Sequence, residues 1–311
     1  MKHFLSITDF NKNELMGVLA LAKELKEKHK QAGESPKLLQ GKTLAMIFEK
    51  PSLRTRISFE IAMQQLGGHA IYLGPQEIGL GTREPISDVA KVTSSMANGI
   101  MARTFAHTTV EELAKYSFVP VINGLSDLEH PCQILADLLT IYEQKGTFTD
   151  MKLAFIGDGE NNVAHSLTLA AAMLDMHISV AAPKGFWMKK DVVEMAKKIA
   201  THTGSKIIQT ENPQEAVTDA DIVYTDTWIS MGDEKEKENR LTIFKPYQVT
   251  ADLLQYAKPN VIVMHDLPAY RGNEITNDVI EGPQSVVFEQ AENRLHAQKA
   301  LLVKMLTDHK N

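Results

Sequence analysis

Cysteine is almost absent from this sequence: Cys132 is the only one in 311 residues. A lone thiol excludes an internal disulfide framework and a cysteine-rich metal site, and it suits a reducing compartment. Positive charge is not in surplus either. The 33 lysines and arginines face 39 aspartates and glutamates, a formal charge of −6, and the basic residues are interspersed among acids. That balance argues against a general nucleic-acid binder and against a polybasic membrane surface. No apolar run approaches the roughly 20 residues that span a bilayer. The opening stretch MKHFLSITDFNKNEL lacks the apolar core of a signal peptide. Solenoid-length repeats and low-complexity tracts are missing as well. The expectation is a soluble, cytoplasmic, globular protein. At 43% hydrophobic residues, this length supplies core for two domains.

What is present is an alternation of apolar strand and amphipathic helix. Strands are expected at 43–49, 69–73, 99–104 and 119–123, and again at 152–157, 178–182, 206–209, 221–225 and 261–265. Helices are expected at 53–66, 86–97, 109–116 and 131–144, then near 162–175, 187–203 and 213–219, with a last one at about 290–307. The polar stretch EQKGTFTDMK separates the two series. Such alternation implies parallel sheets with right-handed crossovers. The fold class is therefore α/β: two doubly wound parallel-sheet domains in tandem, joined by helices. Ligands in that architecture sit outside the carboxyl ends of the strands.

In the first series the strand ends carry basic and hydrogen-bonding groups. FEKPSLRTRISFE, residues 48–60, sets two guanidiniums and two hydroxyls at a helix start, an inventory that suits a phosphate. Arg54 is the favoured ligand contact. Arg56 divides evenly between a ligand and an ion pair with Glu60 at i+4. Arg103 ends the strand 99–104, where an anion is a better partner than water. His130 and Gln133 share the first turn of the next helix and offer donors to a carbonyl or phosphate oxygen. Cys132, between them, has no evident base partner and is assigned to packing.

The second series differs. GDGENN, residues 157–162, matches the first two glycines of a dinucleotide fingerprint but has Asn162 at the third. No acid follows the next strand, so the cofactor reading is poor. Asn161 and Asn162 either bond a polar substrate or cap the helix. Asp226 ends one strand and Asp266 another. The run DEKEKENR behind Asp226 is a solvated face or a mobile lid. Arginines in one half and aspartates in the other point to a phosphate-bearing donor, a cationic acceptor and group transfer between them.

FEKPSLRTRISFE, HPCQ, DTWISMG, HDLPAYRG and FEQAENRLHA occur in the order and at the spacing of the ornithine carbamoyltransferases. Over nearly the whole chain the sequence resembles that family. The resemblance implies a carbamoyl phosphate domain of residues 1–135 plus 288–311 and an ornithine domain of 136–287. It also implies a homotrimer with active sites between subunits, and no metal or organic cofactor. By the same resemblance Ser52, Leu53, Arg54, Thr55, Arg103, His130, Gln133 and Arg294 bind carbamoyl phosphate. Asn162, Asp226, Ser230, Met231, Asp266 and Leu267 bind ornithine, and Arg103, His130, Asp226 and Asp266 act in the chemistry. Three positions depart from the family. Leu53 replaces a usual threonine, Gly79 a Gln or His given to the neighbouring subunit, and Asp266 a usual cysteine. Rival implications are transfer to another cationic amine, such as putrescine or a modified ornithine, and a catalytically silent paralogue. Arg54, Arg103, His130 and Asp226 occurring together count against the second.

Overall fold

The computed structural model describes residues 2–229 and 236–307. The chain divides into two compact units, Met1–Leu139 with Glu292–Asn311, and Thr140–Ala291. It leaves the first unit within helix α6 (Pro131–Lys145) and returns within α13 (Val287–Thr307). No helix among the described residues is long and apolar enough to cross a membrane.

The first unit holds a sheet of β1 (Thr43–Phe48), β2 (His69–Leu73), β3 (Gly99–Arg103) and β4 (Val121–Leu125) in the order β2-β1-β3-β4. All neighbours run parallel. Leu44 to Phe48 are buried, as a near-continuous apolar run in a covered parallel strand requires. Helices α2 (Leu53–Gln65), α4 (Ile86–Met96) and α5 (His107–Tyr116) follow β1, β2 and β3, and the short α3 (Pro75–Ile78) precedes α4. The strand order reverses between β1 and β3, which places the start of α2 and the end of β3 on either side of the switch point where ligands bind.

Helix α1 (Lys12–Ala32) is not among the expected helices. Its start is a capping box: the Asn11 side chain accepts from the Glu14 N–H while the Glu14 carboxylate accepts from the Asn11 N–H. Leu15, Val18, Leu19, Ala22 and Leu25 are buried at helical spacing.

The second unit has five parallel strands, β5 (Lys152–Ile156), β6 (His177–Ala181), β7 (Ile207–Thr210), β8 (Ile222–Thr225) and β9 (Ile262–His265), in the order β7-β6-β5-β8-β9. Here the reversal falls between β5 and β8. Helix α7 (Asn162–Met173) is buried all round from Val163 onward. Helices α8 (Lys190–Thr203) and α9 (Pro213–Val217) complete the crossovers, and α10 (Lys237–Phe244), α11 (Ala251–Leu254) and α12 (Asn277–Ile280) flank β8 and β9. Every expected strand is present, with its ends displaced by at most two residues. The charged run DEKEKENR is exposed from Glu236 to Asn239, as a solvated face is. Asp233 to Lys235 lie outside the described residues, but from Lys237 the chain is helical and Arg240 is buried.

Lys299, on α13, is fully buried and donates to Ser35 Oγ at 2.9 Å. Burial pushes its ammonium down from 10.5 to about 8. Below pH 8 the folded state therefore carries a buried charge that the unfolded chain carries in water, which destabilises it. Between pH 8 and 10.5 the folded state sheds that proton first and the handicap fades. Lys299→Met should raise the melting temperature at pH 7 by about 2–4 °C. The gain over wild type should shrink as pH rises through that window in a thermal melt series.

Candidate active site

In the first unit, β1 runs into α2 through Pro51 and Ser52. Ser52 is the N-cap, its Oγ accepting from the Thr55 N–H at 3.3 Å. Helix geometry leaves the N–H groups of Leu53 and Arg54 without intrahelical acceptors at the positive end of the helix dipole. The Leu53 side chain is exposed, so its backbone N–H is the group this position offers to an anion. Arg56 turns away, pairing with Glu60 at 2.9 Å and stacking over the Tyr72 ring at 4.1 Å.

Arg294, from α13, closes the other side. Its Nη1 donates to Gln133 Oε1 at 2.6 Å and its Nη2 to Thr55 Oγ1 at 3.3 Å. Gln133 in turn donates to Asp137 Oδ1 at 2.8 Å, which fixes the amide. Arg103 ends β3 at an irregularity in its pairing with β4 and is buried. His130 precedes Pro131 at the head of α6 and is also buried. Burial first, then the charges of Arg294, Arg103 and Arg54, hold its imidazole well below 6.5. It is neutral at physiological pH, a hydrogen-bond donor rather than an added charge. Cys132 donates to the Asn123 carbonyl at 3.2 Å, and burial pushes its thiol up to about 12, so it packs and does not react.

In the second unit the loops after β5 and β8 meet at the switch point. Asn161 caps α7, its Oδ1 accepting from the Val163 N–H at 2.6 Å, and its Nδ2 donates to Asp226 Oδ2 at 2.6 Å. Of the two roles left open by the sequence it takes the cap, and its amide nitrogen holds Asp226. Asn162 is the first residue of α7 and half-buried. Asp226 Oδ1 accepts from the Thr227 N–H, also at 2.6 Å. The glycines of GDGENN serve packing: a Cβ on Gly159 would lie 2.6 Å from the Phe186 carbonyl, and Gly157 has φ +137° beside the Trp228 ring.

After β9, Asp266 and Leu267 lie in a half-buried turn, with Leu267 at φ +61°. Asp226, His265 and Asp266 bring potential ligand atoms within 4.8 Å of one another. His265 is already committed, however. Its Nδ1 accepts from the Leu267 N–H at 2.9 Å and its Nε2 faces Glu274 Oε1 at 3.1 Å. With both ring nitrogens bonded, the trio offers two carboxylates to a cation rather than a three-ligand metal set. Ser230 and Met231 lie outside the described residues.

Four residues of this site escaped the sequence reading or were left undecided: Asn161, His265, Glu274 and Arg240. Arg240 pairs with Asp158 and donates from Nε to the Trp228 carbonyl at 2.6 Å. A spacing of Arg240 and Phe244 at i+4 was the available signal, hidden inside a run of charges.

Comparison with known proteins bears on this geometry. Residues 2–143 match the aspartate/ornithine carbamoyltransferase carbamoyl-P binding domain, and residues 149–305 match the Asp/Orn binding domain. An ornithine carbamoyltransferase of Anoxybacillus flavithermus is 56% identical over 305 residues, 98% of this chain and 96% of that protein. The solved ornithine carbamoyltransferase of Pyrococcus furiosus superposes with a TM-score of 0.96 at 50% identity, covering 99% of this chain and 98% of that one. The anabolic ornithine carbamoyltransferase of Campylobacter jejuni gives 0.93 at 42% identity, over 99% and 100% of the two chains. With both family domains matched in order along nearly its whole length, the chain belongs to the aspartate/ornithine carbamoyltransferase family.

Proposed function

We propose that this protein transfers the carbamoyl group of carbamoyl phosphate to the δ-amine of L-ornithine, giving citrulline and phosphate. The observation that carries the reading is the convergence in the first unit of Arg54, Arg103 and Arg294 on a histidine they help keep neutral. Such a cradle binds a phosphate dianion and still offers an uncharged donor to a carbonyl.

Carbamoyl phosphate is held at the start of α2 by the Ser52–Thr55 segment and Arg54, with Arg103, Gln133 and Arg294 around it. As the amine attacks, the carbonyl oxygen gains negative charge, which Arg103, Thr55 and His130 stabilise. The C–O bond to phosphate then breaks as the amine's proton passes to the departing phosphate, and the resulting dianion stays with Arg54 and the helix N-terminus. Asp226, held by Asn161 and the Thr227 N–H, orients the amine. The α-carboxylate and α-ammonium of ornithine fall to Ser230, Met231, Asn162 and Leu267. A trimer that completes each site with a neighbouring subunit, and a cytoplasmic setting, accompany this reading; the unpaired Cys132 supports the latter. One citrulline formed per phosphate released from carbamoyl phosphate and ornithine tests the proposal.

Asp266 adds a second carboxylate near Asp226, and two negative charges favour the ammonium form of the acceptor. Attack needs the free amine, so the rate should climb with pH in wild type. Asp266→Cys should move that ascending limb of the pH–rate curve to lower pH by about one unit. An unchanged limb and an unchanged ornithine KM would remove Asp266 from the acceptor site.

A further inference from the structure

We infer that Arg240 is the positioning residue of the acceptor half, clamping the loop after β5 to the loop after β8 so that Asn161 and Asp226 stay in register. The inference rests on Asp226 being the amine's partner. Arg240 acts on Asn161 and Asp226 through the loops that carry them, by a side-chain partner on one loop and a backbone carbonyl on the other. Its Nη2 pairs with Asp158 Oδ2, three residues before Asn161, and its Nε bonds the Trp228 carbonyl, two residues after Asp226. The guanidinium lies 5.0 Å from the Phe186 ring centroid and 5.2 Å from that of Phe244, and Trp228 stacks on Phe244 at 5.9 Å. Two of the group's donors are thus fixed, and two rings whose centroids lie 4.8 Å apart pack against one side of it.

Each loop is also internally tied to the residue it presents. Asp158 Oδ1 accepts from the Glu160 N–H at 3.0 Å, and its backbone carbonyl accepts from the Asn161 N–H at 3.3 Å. On the other loop the Thr227 N–H bonds Asp226, and the Thr227 hydroxyl bonds the Ile229 backbone. A shift of either loop therefore moves the 2.6 Å Asn161–Asp226 hydrogen bond directly. Arg240 and Asp158 are only 5% and 6% exposed, so water does not replace the clamp when it is cut.

The Asp158 carboxyl adds a condition. Burial raises it to about 6 in spite of Arg240, and Glu160 is the other ionisable group acting on it. Protonation as pH falls through that value turns an ion pair into a hydrogen bond from a cationic guanidinium to an uncharged carboxyl and loosens the clamp.

Steady-state kinetics of Arg240→Lys, Arg240→Gln and Asp158→Asn, with melting temperatures, test the inference. Arg240→Gln should raise ornithine KM by roughly 10- to 100-fold while kcat at saturation stays within about threefold, because misplacement of the amine's partner is the lesion. Carbamoyl phosphate KM should stay within about twofold. Arg240→Lys, which keeps the charge but not the fork, should fall between. Asp158→Asn should flatten the rise of ornithine KM below about pH 6 and combine less than additively with Arg240→Gln. A lowered melting temperature with ornithine KM unmoved would overturn the inference, as would an equal loss in both substrates' kinetics. Asp226→Asn separates the two claims: if it too leaves ornithine kinetics unchanged, the acceptor assignment fails first.

Discussion

Arg54→Gln is expected to lower kcat/KM for carbamoyl phosphate by about two to three orders of magnitude without unfolding the protein. Arg54 occupies the first turn of α2, at the positive end of the helix dipole, and its charge already reaches His130. A phosphate placed there takes its strongest contact from that guanidinium. Truncating one partner of a desolvated charge pair costs about 2–5 kcal/mol, and each 1.4 kcal/mol is roughly tenfold. Arg54 is half-buried rather than buried, so the lower part of that range applies to folding and the upper part to binding. Initial rates against carbamoyl phosphate, with circular dichroism as the folding control, decide it. A loss below about threefold would move the phosphate away from the helix start.

Asp226→Asn should have the second large effect, lowering kcat/KM for ornithine by about 100- to 1000-fold. The replacement is isosteric and still accepts the Thr227 N–H. It removes the charge that attracts and orients a cationic acceptor, and it sets a second amide against Asn161 Nδ2. The loss of a buried charged hydrogen bond is worth about 2–4 kcal/mol here. Carbamoyl phosphate kinetics should be nearly unaffected, because none of its proposed contacts is altered. Equal losses for the two substrates would contradict the division of labour between Arg54 and Asp226.

Parts of this architecture were legible because local and global signals agree. TLAMIF followed by PSLRTR announced a buried strand and a capped helix start, and all nine strands appear near their expected positions. Helix α1 was passed over although Leu15, Val18, Leu19, Ala22 and Leu25 have the spacing, because charged residues on its open face dilute the pattern. The glycines of GDGENN only gain meaning from Phe186 and Trp228, which are distant in sequence. The same limit explains Arg240 and His265. In DEKEKENR nothing local separates the one buried arginine from its solvated neighbours. The partners that bond His265 at both nitrogens come from a turn whose geometry is set by tertiary structure.

The central claim is a cationic cradle for a carbamoyl donor in one unit and an anionic site for a cationic amine in the other. Product formation from carbamoyl phosphate with L-ornithine, putrescine and N-acetylornithine, from about pH 6 to 10, tests it most directly. The account predicts citrulline from ornithine as the dominant product, with a rate that climbs as the amine is deprotonated. Turnover confined to another amine, or none with any acceptor while a phosphonate analogue still binds, would contradict it.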